Sequence, residues 1–103
     1  MNNDDKIQQI QFMENNIQNL FMQKQAFQME LSESQSAIKE IENSEGEIFK
    51  IIGQLMIETD KQKTKEELSN KEKILELRIR TIEKQEGSLM EKLENLRKEA
   101  TKQ

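Results

Sequence analysis

Carboxylates and amines are the reactive groups this sequence has to offer: 20 Asp and Glu stand against 16 Lys and Arg, with no Cys and no His. That composition removes thiolate nucleophiles, disulfides, the usual zinc sites, imidazole bases and redox switching together. The carboxylates are scattered among Lys and Arg, without the apolar surroundings that raise a pKa for acid catalysis. Gly46, Gly53 and Gly87 stand singly, so no Gly-rich loop cradles a phosphate. The chain therefore reads as no enzyme, with no cofactor, metal or nucleotide of its own.

The partner classes narrow in the same way. A net charge of −4 speaks against nucleic acid, whose binding is led by clustered Lys and Arg. The nearest basic cluster, Lys61, Lys63 and Lys65, reads as the solvated start of a helix. No run approaches the roughly 18 apolar residues of a membrane span, and the N-terminal MNNDDK lacks the basic start and apolar core of a secretion signal. The expectation is a soluble, cytoplasmic protein. What remains is non-covalent chemistry: apolar side chains placed where other polypeptides can reach them.

Two long segments must position those side chains. From Ile10, core-type positions recur in steps of three and four through Met13, Ile17, Leu20, Lys24, Phe27, Leu31, Ser34, Ile38 and Ile41. A second series runs Leu68, Glu72, Leu75, Ile79, Ile82, Glu86, Leu89, Leu93, Leu96 and Ala100. Both are heptad seams. Their spans match at about 50 Å, as an antiparallel coiled-coil hairpin requires. Asn2, Asn3 and Asp4 offer caps for the first helix, and Thr64 followed by Glu67 reads as a capping box for the second. The expected class is mainly α, one domain over residues 1–103, with helices at about 4–44 and 63–101.

Polar residues within a seam cost stability but penalise wrong alignments. Lys24 and Glu86 fall within one layer in either register that the spacing allows, so they are expected to meet and help fix the alignment, the alternative being that both side chains snorkel separately into water. Gly87, beside Glu86, costs about 1 kcal/mol relative to Ala and marks a local soft point.

Between the helices lies EIFKIIGQLMIETDK, residues 47 to 61. Its β-branched enrichment and central Gly53 predict a β-hairpin over about 47–59, with a tight turn near 52–54, in preference to a helix. A lone hairpin is marginal in water, and this one is apolar on both faces. Ile48, Phe49, Ile51, Ile52, Leu55, Met56 and Ile57 form the expected oligomerisation element, covered by equivalent hairpins of other subunits. Burying them contributes on the order of 10 to 20 kcal/mol at about 1.5–3 kcal/mol each, before ordering costs.

A second apolar set lies off the seams. Ile7, Phe12, Phe21, Met22 and Met29 lie off the seam of the first helix, and Phe12, Met22 and Met29, with Ala26, fall on the side opposite the partner helix, where a plain coiled coil carries Glu, Lys or Gln. Met adapts to many shapes, and exposed apolar surface of this kind marks an interaction site. With Ile10 and Met13 at a frayed end, and Met90, Leu93 and Leu96 from the second helix, these are the expected binding residues for non-native chains. Ile74 and Leu77, nearer the hairpin, are expected to serve assembly.

The order helix, β-hairpin, helix resembles prefoldin. EIFKIIGQLMIETDK is similar to the hairpin of the β-type subunit, and KEEL, LELRIRTIEKQE and LMEKL to the second helix of its archaeal form. The resemblance runs from about Gln8 to the end, with QKQAFQMEL supporting it in the first helix. It implies a hexamer of two α-type and four β-type subunits whose hairpins build a β-barrel body carrying six coiled coils. It also implies an ATP-independent holdase that binds unfolded polypeptide and delivers it to a group II chaperonin. The rival reading is a scaffolding coiled coil whose insert merely oligomerises it.

Overall fold

The computed structural model describes residues 3–101. The chain order is α1 (Asn3–Asn43), β1 (Ile48–Ile52), β2 (Leu55–Thr59) and α2 (Lys61–Thr101). Two long helices thus flank a short antiparallel hairpin, as the residue pattern predicts. Packing divides the chain into two compact units, one made of the helix segments up to Phe27 and from Arg78, the other of residues 28–77.

The helix boundaries have local causes. Asp4 and Asp5 sit in the first turn of α1, where the helix dipole favours negative charge. The cap expected at Asn2 lies outside the described residues, and Asn3 is already helical. At the other end, the backbone N–H and the hydroxyl of Ser44 both donate to the Ile41 carbonyl, at 3.3 and 2.9 Å. Gly46, at φ +86°, then turns the chain toward β1, a conformation that glycine adopts without a Cβ penalty.

The start of α2 corrects the sequence reading. Asp60, not Thr64, is the cap: its Oδ2 accepts the Lys63 N–H at 2.8 Å, and its carbonyl accepts the Thr64 N–H at 3.0 Å. The helix begins at Lys61, two residues before the expected 63. Thr64 is consequently inside the helix and buried, its hydroxyl sharing a hydrogen bond with that of Thr59 at 3.1 Å. Glu67 turns to Lys50 instead of back to the helix start.

In the unit of residues 28–77, Leu31, Ser34, Ile38 and Ile41 from α1 and Leu68, Glu72 and Leu75 from α2 are buried or half-buried. Leu75 is the most enclosed side chain, 2% exposed. Ser34 and Thr64 are the buried small polar residues of this unit. Lys61 donates to the Ser44 carbonyl at 2.7 Å, joining the end of α1 to the start of α2.

In the unit built from the helix ends, the seam holds Ile10, Met13, Ile17, Leu20, Lys24 and Phe27 against Ile79, Ile82, Glu86, Leu89, Leu93, Leu96 and Ala100, all buried or half-buried. Arg97 pairs with Glu14 at 3.6 Å, Lys24 with Glu86 at 2.7 Å, and the Arg78 guanidinium lies over the Phe27 ring at 5.6 Å. These pairings fall in antiparallel order. Lys24 and Glu86 have side chains only 18% and 12% exposed, so the expected contact is made in a largely desolvated layer. The Lys24 ammonium also stands 5.7 Å from the centre of the Phe21 ring, a cation–π contact that further compensates its removal from water.

A pair this enclosed is asymmetric in its energetics. Removing one partner strands the other charge, whereas replacing both with apolar residues restores a packed layer. Lys24→Leu or Glu86→Leu alone is expected to lower the unfolding free energy by about 2–3 kcal/mol. The double variant is expected to return close to the parent, and a double-mutant cycle by urea unfolding at fixed protein concentration measures the coupling.

Candidate functional site

The β-hairpin is an apolar ribbon built by two-residue alternation. Ile52 pairs with Leu55 across Gly53 and Gln54, and the register continues through Ile51 with Met56, Lys50 with Ile57, Phe49 with Glu58 and Ile48 with Thr59. Gly53 has φ +62° and Gln54 is not in the positive region, the pattern of a II′ turn, whose twist matches that of the strands. Directly paired residues share a face. One face therefore presents Phe49, Ile51, Met56 and Glu58, the other Ile48, Lys50, Ile52, Leu55, Ile57 and Thr59.

Six of the seven expected oligomerisation residues are exposed; Ile51 is 75% and Met56 69% accessible, and only Ile48 is half-buried. The Phe49, Ile51 and Met56 face borders a cleft of about 560 Å³ whose opposite wall includes Ala37, Ile41 and Leu68. Ile74 and Leu77 are exposed in the same unit. The hairpin is held at its root by Lys50, which donates to Glu67 at 2.6 Å, and by the bonds of Thr59 and Lys61 already described.

The unit built from the helix ends exposes a second set. Ile7, Phe12, Phe21, Met22 and Met90 all stand in solvent, Phe12 at 68%. The structure separates the remaining expected binding residues from these. Ile10, Met13 and Leu96 are half-buried seam members. Leu93 is 6% exposed and belongs to the core, because it continues the α2 stripe of Leu75, Ile79 and Ile82. Met29 is exposed but belongs to the unit of residues 28–77.

One feature of the helix-end unit went unread in the residue pattern. A cleft of about 540 Å³ runs beside the seam, lined by Asn16, Asn19, Leu20 and Gln23 from α1 and Gln85, Ser88 and Leu89 from α2. The basic trio, in contrast, is not a free cationic patch: Lys61 is bound to the Ser44 carbonyl and Lys65 lies 3.9 Å from Glu42. Among the described residues, no cluster of three Asp or Glu could hold a metal ion, and no helix is long and apolar enough to cross a membrane.

Comparison with known proteins places this architecture. A family model described as Prefoldin subunit matches residues 4–103. The prefoldin subunit beta of Thermococcus onnurineus is 42% identical over 90 residues, covering 85% of this chain and 78% of that protein. Its counterpart in Pyrobaculum calidifontis is 35% identical over 89 residues, covering 84% and 71%. The crystal structure of the prefoldin beta subunit from Thermococcus strain KS-1 matches with a TM-score of 0.87 and 33% identity over 95% of this chain and 88% of that one. The beta2 subunit of the same strain shares the fold, at a TM-score of 0.75 and 20% identity over 84% and 95%.

The clamp at the hairpin root carries a pH dependence. The hydrogen bond from Lys50, followed by its charge, holds the Glu67 carboxyl below its ordinary value of 4.5 against the opposing effect of desolvation, with the least contribution from the charge of Lys63. A carboxylate with a depressed folded-state pKa stabilises the fold fully above its unfolded value and ceases to do so as pH falls through the folded value. The stabilisation from this pair is therefore expected to vanish on acidification from about pH 5 downward. Glu67→Gln should flatten that part of the melting temperature against pH curve and leave the neutral part with little slope change.

Proposed function

We propose that this chain, which belongs to the prefoldin family, works as a β-type subunit of an ATP-independent holdase, which binds unfolded polypeptide and delivers it to a group II chaperonin. The observation that carries this reading is the double exposure of apolar side chains, on the hairpin in one unit and on the helix ends in the other. The two sets have different jobs.

The hairpin serves assembly. Phe49, Ile51, Ile52, Leu55, Met56 and Ile57 are exposed on a ribbon with two open edges, which is the arrangement that strand pairing with other copies completes. Four β-type chains and two α-type partners, their hairpins forming a barrel, would cover both faces. Ile48, half-buried against its own helices, contributes to anchoring as well as to assembly.

The helix-end residues serve capture. Ile7, Phe12, Phe21, Met22 and Met90 offer separate aromatic and thioether contacts, without a preformed pocket that would demand one client shape. Many weak apolar contacts of this kind suit non-native chains, whose exposed side chains vary in sequence but not in character. No catalytic step belongs to this proposal, and a cytoplasmic location follows from the same reading.

Ile51→Lys combined with Met56→Lys is expected to prevent formation of the hexamer with an α-type partner, seen as a lower mass in sedimentation velocity, with helical circular dichroism retained. A hexamer of undiminished mass would defeat the assembly role. Replacing Phe12, Phe21, Met22 and Met90 together with Gln is expected to leave the hexamer intact and to reduce suppression of aggregation of a denatured client severalfold, without nucleotide. Unchanged suppression would reject the capture residues, and an intact parent hexamer that suppresses nothing would leave the scaffolding reading as the better one.

A further inference from the structure

We infer that the carboxamide cleft of the helix-end unit binds the backbone of a captured polypeptide in extended form, so that a client is held by its amides as well as by its apolar side chains. This rests on the holdase reading and deepens it. The lining is the first reason. More than a third of the chain is charged, yet residues 15–23 of α1 carry no charge at all, and none of the seven residues around the cleft is charged.

The second reason is hydrogen-bonding capacity. A carboxamide donates and accepts, which matches the alternating N–H and C=O groups of an extended chain irrespective of its sequence. Asn16, Asn19, Gln23 and Gln85 supply four, with the Ser88 hydroxyl beside them. Among the described residues, none of these side chains is engaged in a hydrogen bond or ion pair within the chain. Their capacity is left to solvent or to a ligand.

Geometry supplies the third. Asn16 to Gln23 spans about 10 Å of helix, the length of about three residues of extended polypeptide. Leu20 and Leu89, both half-buried, give the cleft an apolar floor between amide walls. Phe12 precedes Asn16 by one helical step, on the same stripe as Asn19 and Gln23, so an exposed aromatic continues the amide row. A client segment laid along it would bond its backbone to the amides and rest a side chain on that ring. The neutral lining also avoids rejecting acidic or basic clients, which a charged wall would do.

The test separates backbone recognition from side-chain contact. A short, unstructured, Leu- and Phe-rich peptide and its analogue with alternate backbone amides replaced by esters are titrated, by fluorescence anisotropy, into the chain assembled with an α-type subunit. The assembled parent is expected to bind the all-amide peptide about tenfold more tightly than the ester analogue. Asn19→Ala, Gln23→Ala and Gln85→Ala together are expected to erase that difference while binding the ester analogue as the parent does, with helical content unchanged. Equal affinity of the parent for both peptides would overturn the cleft assignment and leave the holdase reading standing. Persistence of the amide preference in the triple variant would also overturn it. Failure of the parent to bind either peptide would remove the holdase reading itself, and the cleft with it.

Discussion

The structure depends on one constraint: the apolar stripe of each helix is consumed by the other helix. In the unit of residues 28–77, Ile38, Ile41, Leu68 and Leu75 are buried or half-buried in the helix seam, so the seam residues are not free to enclose the sheet. A two-stranded ribbon with Ile51, Met56 and Leu55 in solvent is then the necessary result. Such a ribbon is too small to stabilise itself. Its apolar surface stays open to solvent within one chain, as do Phe12, Met22 and Met90 in the helix-end unit, which the seam does not absorb.

The hairpin nevertheless has a defined root, and that root is polar. Asp60 starts α2 immediately after β2 ends at Thr59, so the strand enters the helix without a loop. The Thr59 and Thr64 hydroxyls, the Lys61 bond to the Ser44 carbonyl and the Lys50 to Glu67 pair each tie a residue at the base to a fixed helical neighbour. Hydrogen bonds of this kind contribute modestly to stability. Their effect is directional: the ribbon's apolar faces stay in a set orientation relative to the helices that carry it. In the proposed assembly, such pre-orientation would reduce the entropy lost on association.

Much of this was legible in the residues because it rests on periodicity. Steps of three and four locate every seam position from Ile10 to Ala100, and all are buried or half-buried. β-branched residues around Gly53 locate the strands, and the meeting of Lys24 with Glu86 follows from the matched seams. The cap of α2 was not legible, because Asp60 and Thr64 both have cap-forming side chains and only the three-dimensional position of Thr59 decides between them. Leu93 shows the limit of the same pattern: it counts among the expected binding residues although it is also a seam position, and it is 6% exposed within the α2 stripe. The carboxamide cleft left only one trace, the uncharged run 15–23, since Asn and Gln at surface positions of a helix look the same whether or not they face one another across a groove.

The buried pair in the helix-end seam bears on how the two helices find one alignment. A seam of apolar residues tolerates slippage by a heptad, because each Leu or Ile meets another of similar volume. Lys24 and Glu86 do not. A slip of one heptad would set the Lys24 layer near Ile79 or Leu93 and the Glu86 layer near Ile17 or Leu31, leaving two largely desolvated charges without partners, a penalty of several kcal/mol. The observed alignment satisfies both with a 2.7 Å contact. It also brings Asn16, Asn19 and Gln23 opposite Gln85 and Ser88, a juxtaposition that any slipped register would dissolve. One polar layer thereby fixes which side chains line the cleft, linking the stability of the seam to the make-up of the surface beside it.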